Sequence, residues 1–211
     1  MSVLVDVWSD FVCPFCFLIV PGLEELQRDY DISIRWRAFL LRPPGTPSIS
    51  NKRRAMIEAE RKHVGQLAYT RYGLELNPGP IGINTLNAHI AVKYAEAHTK
   101  GNSFHFAVMR AFWQEARSID DKEVLKGIAA QIGISGEDIA TAWKDSTFTS
   151  AVGADINLAS TYGIHNVPTL LFDKKYMVIG AQPYQVLKRV MDKVLKEESS
   201  NPIENPGGVI K

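Results

Sequence analysis

Cysteine is scarce in this sequence, with only Cys13 and Cys16 among 211 residues. Two thiols fall short of the about four ligands that a zinc clip needs. The five histidines show no matching spacing, so no metal site is expected. An excess of one charge is missing too. Lys and Arg number 24 and Asp and Glu 23, for a net charge of +1. A nucleic-acid partner would ask for a basic excess on one face. No apolar run approaches the ~20 residues that cross a bilayer. There is no internal repeat and no low-complexity tract. A secretory leader, with a basic start and then an apolar stretch, is not seen either. Instead Val3 to Trp8 already reads as a strand, and the cysteines follow at once. The expectation is a cytoplasmic protein, in which a lone cysteine pair is catalytic rather than a structural staple.

Hydrophobic residues make up 45% and charged residues 22%, so a packed core is expected. The length suits one large domain, or one domain carrying an insertion. After the first strand and the loop Ser9-Asp10-Phe11-Val12, a helix fits from Cys13 to Arg28, kinked at Pro21-Gly22. Ile32 to Phe39 alternates Ile32, Ile34 and Trp36 with polar residues and predicts a second strand. Together these make a βαβ unit. Arg42-Pro43-Pro44-Gly45-Thr46-Pro47 is a linker by composition. About 100 helical residues follow. The expected helices are Asn51 to Tyr72, one capped by Asn84 or Thr85 to His98, and one from Ser103 to Arg117. Two more run from Asp120 or Asp121 to Gly133 and from Ser135 to Trp143. Phe148 to Tyr162 is a further helix. Thr169 to Phe172 and Tyr176 to Ile179 form a hairpin, and Pro183 to Lys196 is a final helix. The chain ends therefore hold βαβ and αββα, an α/β fold interrupted by helices. The expected division is 1–44 with 148–200 as one discontinuous domain, 45–147 as an inserted all-helical subdomain, and 201–211 as a loose tail.

Cys13-Pro14-Phe15-Cys16 stands at a helix start directly after a strand. Disulfide exchange needs a thiolate, and a helix N-terminus offers free N–H groups and partial positive charge to one. Cys13 sits where that field is strongest and solvent can reach, which makes it the expected nucleophile. Cys16, one turn on, would resolve the mixed disulfide. Pro14 suits the first helical turn and stiffens it. Phe15 adds no cationic partner. An inert buried pair is the bland alternative.

These residues resemble the DsbA-like thioredoxin superfamily, and in particular its FrnE-like branch. The resemblance rests on Ser9 to Cys16, on Asn84-Thr85 with Ala88-His89, on Val167-Pro168-Thr169 and on Gly180-Ala181-Gln182. It extends to about residue 196. It implies a thioredoxin-like fold with a helical insertion, disulfide oxidoreductase activity and a cis Val167–Pro168 bond facing the cysteines, with Val167 presenting its backbone to substrate. Read without it, Pro168 is simply an edge-strand feature. Exported relatives carry a histidine between the cysteines. Phe15 in its place predicts a weaker oxidant, with a potential more negative than ~−120 mV. No second cysteine pair exists to relay electrons. A branch of similar layout holds the kappa-class glutathione transferases and hydroxychromene-carboxylate isomerases, which usually have serine at the Cys13 position. Val167, Ala181 and Gln182 fall where that branch grips glutathione. Glutathione is thus an expected co-substrate.

The main expectation is a thiol–disulfide oxidoreductase acting on protein or low-molecular-weight thiols, with no cofactor beyond its own Cys13–Cys16 disulfide. The alternatives are a glutathione-dependent isomerase or transferase of small aromatic or polyketide-like substrates, and a non-enzymatic interaction module. Expected substrate contacts are Pro14, Phe15, Val167, Pro168, Ala181, Gln182, Asn84 and His89. Asp6 is either a proton-transfer acid beneath the cysteines or an exposed strand-end carboxylate. Asp10 favours the helix dipole but opposes the Cys13 thiolate. His89 and His165 either approach the cleft or are structural. Trp8, Phe11, Trp36 and Phe39 either rim a groove or fill the core. Lys52-Arg53-Arg54 and Arg61-Lys62 read as a solvated helix face. Either a monomer or a homodimer fits.

Overall fold

A computed structural model describes residues 2–200; the expected loose tail, 201–211, lies outside the described residues. The chain opens with β1 (Val3–Ser9), short α1 (Pro14–Leu18), α2 (Val20–Asp29) and β2 (Ile32–Ala38). Five helices follow: α3 (Asn51–Tyr72), α4 (Leu86–Ala97), α5 (Gly101–Trp113), α6 (Lys122–Gln131) and α7 (Gly136–Ala142). The chain closes with α8 (Ser146–Thr161), β3 (Thr169–Phe172), β4 (Tyr176–Ile179) and α9 (Tyr184–Ser200). The four strands make one sheet in the order β2-β1-β3-β4. β1 runs parallel to β2 and antiparallel to β3, and β3 is antiparallel to β4. This is the thioredoxin arrangement expected from the two ends of the chain.

Period-two alternation sorts β1 onto two faces. Val3, Val5 and Val7 join the main hydrophobic cluster with Leu23, Leu26, Leu187 and Met191 of the flanking helices. Trp8 faces the other way, against Ala159, Ile164 and Leu171. Because both faces are covered, β1 reads as a nearly continuous apolar run. The main cluster also takes in Ala88 and Val92 of α4 and Phe104, Val108 and Met109 of α5. The helices between β2 and α8 therefore share one core with the sheet.

Several boundaries differ from expectation. The first helix breaks at Ile19, ahead of Pro21, and Pro21 lies in the first turn of α2, where its missing N–H costs nothing. α5 starts at Gly101, so Ser103 lies inside it rather than capping it. α8 starts at Ser146 because Asp145 caps it, its side chain accepting from the Thr147 N–H at 2.8 Å. The 172–175 turn has positive φ at Asp173 (47°) and Lys174 (56°), the mirror-image turn whose twist suits a hairpin.

Candidate active site

β1 delivers the loop 10–12 to the start of α1, and Cys13 is the N-cap residue of that helix, followed by Pro14. The Cys13 carbonyl accepts from the Cys16 N–H at 3.1 Å, closing the turn that brings the cysteines together. Both are free thiols. Cys13 is 5% exposed, more buried than a solvent-facing nucleophile was expected to be, because the Pro168 loop packs over it. Cys16 is fully buried. Across the site, the Val167–Pro168 peptide bond is cis. The Cys13 Sγ donates to the Val167 carbonyl at 3.5 Å, joining residues 154 apart in sequence. The 180 loop is tied to the same place, since the Gly180 N–H donates to the Pro168 carbonyl at 2.8 Å. Gly180 has φ 82°, a conformation that glycine tolerates. Ala181 packs against the cluster of Leu18, Val64 and Ala68, and the Gln182 amide donates to the Ile179 carbonyl. Phe15 is 43% exposed beside the thiols.

The two thiols titrate apart. The Cys16 side chain, hydrogen-bonded to Cys13, pulls the Cys13 thiol below its ordinary value, and the Cys16 and Phe15 N–H groups add to this against burial. Burial pushes Cys16 well up, and the neighbouring Cys13 thiolate pushes it further. The Asp10 backbone and the Ser9 hydroxyl pull weakly the other way. Asp10 opposes the Cys13 thiolate by like charge, the smallest of the causes acting there. The Asp10 carboxylate is fully buried and accepts from the Leu41 N–H at 2.7 Å.

Asp6 meets neither expectation. It is 3% exposed and accepts from Arg35 at 2.6 and 2.9 Å and from Arg37 at 2.7 Å. It shares β1 with Val5 and Val7 but points to the opposite face from the cysteine cluster, so it cannot reach Cys16. Burial raises its pKa, yet the two arginines outweigh burial and hold the carboxyl below the usual range. Arg37 continues to Asp155 at 2.6 Å, and Asp155 to Lys93 at 2.8 Å. This buried chain of alternating charges was not anticipated. Its one sequence signal is the pair Arg35 and Arg37, two like charges on one face of β2 that need acids.

Asn84 spends its side-chain oxygen on the Leu86 N–H at 2.8 Å, a local turn leading into α4 rather than a free contact. His89 is buried, 3.7 Å from the Asp10 carboxylate and packed on Phe11. It thus lies behind the active-site loop rather than in a cleft. His105, which the sequence did not single out, stacks on Trp36 with ring centroids 3.5 Å apart. Burial holds its pKa well down. His165 is exposed. Trp8, Phe11 and Trp36 are core, and Phe39 packs with Trp8. Arg53 and Arg61 depart from a purely solvated face: both line a cavity of about 320 Å³ that includes Val12 and Pro14, the neighbours of Cys13. Arg42 lines it as well. Among the described residues no cluster of three or more metal-ligating side chains occurs, and no helix is long and apolar enough to cross a membrane.

Residues 4–192 match the family model of the DSBA-like thioredoxin domain. The uncharacterized protein YwbO of Bacillus subtilis (strain 168) is 28% identical over 157 residues, 70% of this chain and 75% of that protein. Solved structures share the fold. A putative protein disulfide isomerase from Nitrosomonas europaea superposes with TM-score 0.80 at 19% identity, covering 93% of this chain and 99% of that one. A 2-hydroxychromene-2-carboxylate isomerase does so with TM-score 0.75 at 21% identity, covering 93% and 98%. The cytosolic disulfide reductase DsbM of Pseudomonas aeruginosa, solved with GSH, gives TM-score 0.68 at 19% identity, covering 92% and 99%.

Proposed function

This chain belongs to the family of DSBA-like thioredoxin domains, and from that premise we propose that it is a thiol–disulfide oxidoreductase worked by Cys13 and Cys16. The observation that carries the reading is the inequality of the thiols. Cys13 is held toward thiolate at a helix start, while Cys16 is kept protonated by burial one turn behind it. The Cys13 thiolate attacks a substrate disulfide, forming a mixed disulfide and releasing one thiolate. Cys16 loses its proton and attacks the Cys13 sulfur, releasing the second thiol and leaving the Cys13–Cys16 disulfide. Two electrons pass from the protein to the substrate, and the reverse sequence oxidises a dithiol. The Val167 carbonyl at 3.5 Å supports a docking role for the 167–168 backbone. Pro14, Phe15, Ala181 and Gln182 are the further substrate contacts of this reading.

Glutathione is a co-substrate in this reading, and the cytoplasm is the location that goes with it. The solved DsbM carries GSH in the same fold. Replacing Cys13 with Ser should abolish the protein's acceleration of insulin reduction by dithiothreitol, and unchanged turnover would overturn the assignment. Cys16→Ala should instead trap the mixed disulfide, seen as a mass increase on Cys13. The cavity beside Pro14 favours a second reading, a glutathione-dependent isomerase, in which the Cys16→Ala variant binds glutathione and turns over fully.

A further inference from the structure

The cavity beside the nucleophile is built as a charged pocket rather than a peptide groove. One wall is α3, which contributes Arg53 and Arg61, and the 41–42 segment adds Arg42. Val12 and Pro14, the two residues that bracket Cys13, line it as well. The rest of the lining is apolar apart from Glu60, so the lining carries a net charge of two positive units. The Arg61 guanidinium is half-buried over the rings of Phe112 and Trp113, at 5.7 and 5.6 Å, and donates to the Gly79 carbonyl at 2.8 Å. Its position is therefore fixed. Arg42 is anchored by one bond to the Pro47 carbonyl at 2.8 Å. The Arg53 side chain has no hydrogen bond or ion pair among the described residues. None of the three arginines has a carboxylate within ion-pair distance among the described residues.

The far wall is held as firmly. The Asn77 and Gly79 N–H groups donate to the Trp113 and Phe112 carbonyls, both at 2.7 Å. A Cβ on Gly79 would meet the Arg117 carbonyl at 2.5 Å, so only glycine lets the strap lie this close to α5. A preformed, partly apolar cavity of about 320 Å³ has the scale of a small-molecule site.

We propose that this pocket selects low-molecular-weight disulfides and thiols that carry carboxylates, with Arg53 and Arg42 pairing the carboxylate while the sulfur lies toward Cys13. The inference rests on the oxidoreductase reading and adds a substrate class to it. Guanidinium groups suit the choice, because their planar donors match a carboxylate in pairs. Arg61, spent on Gly79 and two rings, sets the potential of the pocket rather than gripping the substrate.

The test is a charge series. Reduced protein reacts in single turnovers with 3,3′-dithiodipropionate (anionic), 2-hydroxyethyl disulfide (neutral) and cystamine (cationic). Each rate is divided by that of dithiothreitol with the same disulfide, which removes intrinsic reactivity. The expected order is anionic above neutral above cationic. About tenfold should separate the first two at low salt, the scale that two partly screened charge pairs reach. Added salt should compress the order. Arg53→Glu should invert it, Arg42→Gln should weaken it, and Arg53→Lys should restore most of it. Equal normalised rates in the wild-type protein, or a preference that ignores both salt and Arg53→Glu, would overturn the pocket assignment alone. If none of the three disulfides reacts, the oxidoreductase reading itself fails.

Discussion

Cys13 and Cys16 lie one turn apart, and the difference between them is a matter of which group each sulfur faces. Cys13 takes stabilisation from Cys16 and from two backbone N–H groups, whereas Cys16 is closed in. Alkylation by iodoacetamide should therefore label Cys13 alone in the native protein. Its rate should rise with pH through a midpoint below 9.0, the ordinary value for the thiol. A midpoint at or above that value would contradict the site as described. The like charge of Asp10 acts against the thiolate, so Asp10→Asn should move the midpoint lower still. The same scale governs Asp155. It is 1% exposed and holds Arg37 and Lys93 at 2.6 and 2.8 Å. Asp155→Ala leaves both cations buried without their shared partner, at a cost of about 3–5 kcal/mol. Urea unfolding of the variant measures it.

At the scale of elements, periodicity and caps made most of the fold legible. α3 (Asn51–Tyr72) and the strands β3 and β4 fall where composition and turn residues place them. Asp121 and Ser135 cap α6 and α7 through their side chains, as their residue types suggest. What was not legible has a physical cause in each case. The break at Ile19 has no local marker of its own, and Pro21 belongs to the turn that follows it. α5 begins at a glycine without a side-chain cap, so local chemistry points instead to Ser103. Asp6 is one residue out of phase with the cysteine face, and period two turns one residue into the opposite side of the sheet. The ion chain through Asp155 joins β1, β2, α4 and α8. Arg37 and Asp155 are 118 positions apart, and no local pattern connects them. The cavity arginines looked like a solvated face because the wall opposite them comes from segments remote in sequence. The cysteine pair was legible since its whole logic is local.

At the scale of the molecule, the sheet and the helices inserted after β2 share one hydrophobic cluster. Helices α4 and α8 also meet β2 through Ala38, Ile90 and Val152. With its largest cluster spanning the sheet and the inserted helices, the chain should unfold in one step. Tryptophan fluorescence and far-ultraviolet circular dichroism should give superimposable urea transitions. Two separated transitions would show that the helices fold as an independent unit. The contact between the Cys13 sulfur and the Val167 carbonyl, 154 positions apart, also has a consequence during synthesis. At ~5–20 residues per second, Cys13 leaves the ribosome on the order of ten to thirty seconds before the carbonyl that will face it. For that interval the nascent chain carries its most reactive sulfur without the loop that later covers it. Any oxidation of Cys13 in that window precedes the fold that sets it against Val167.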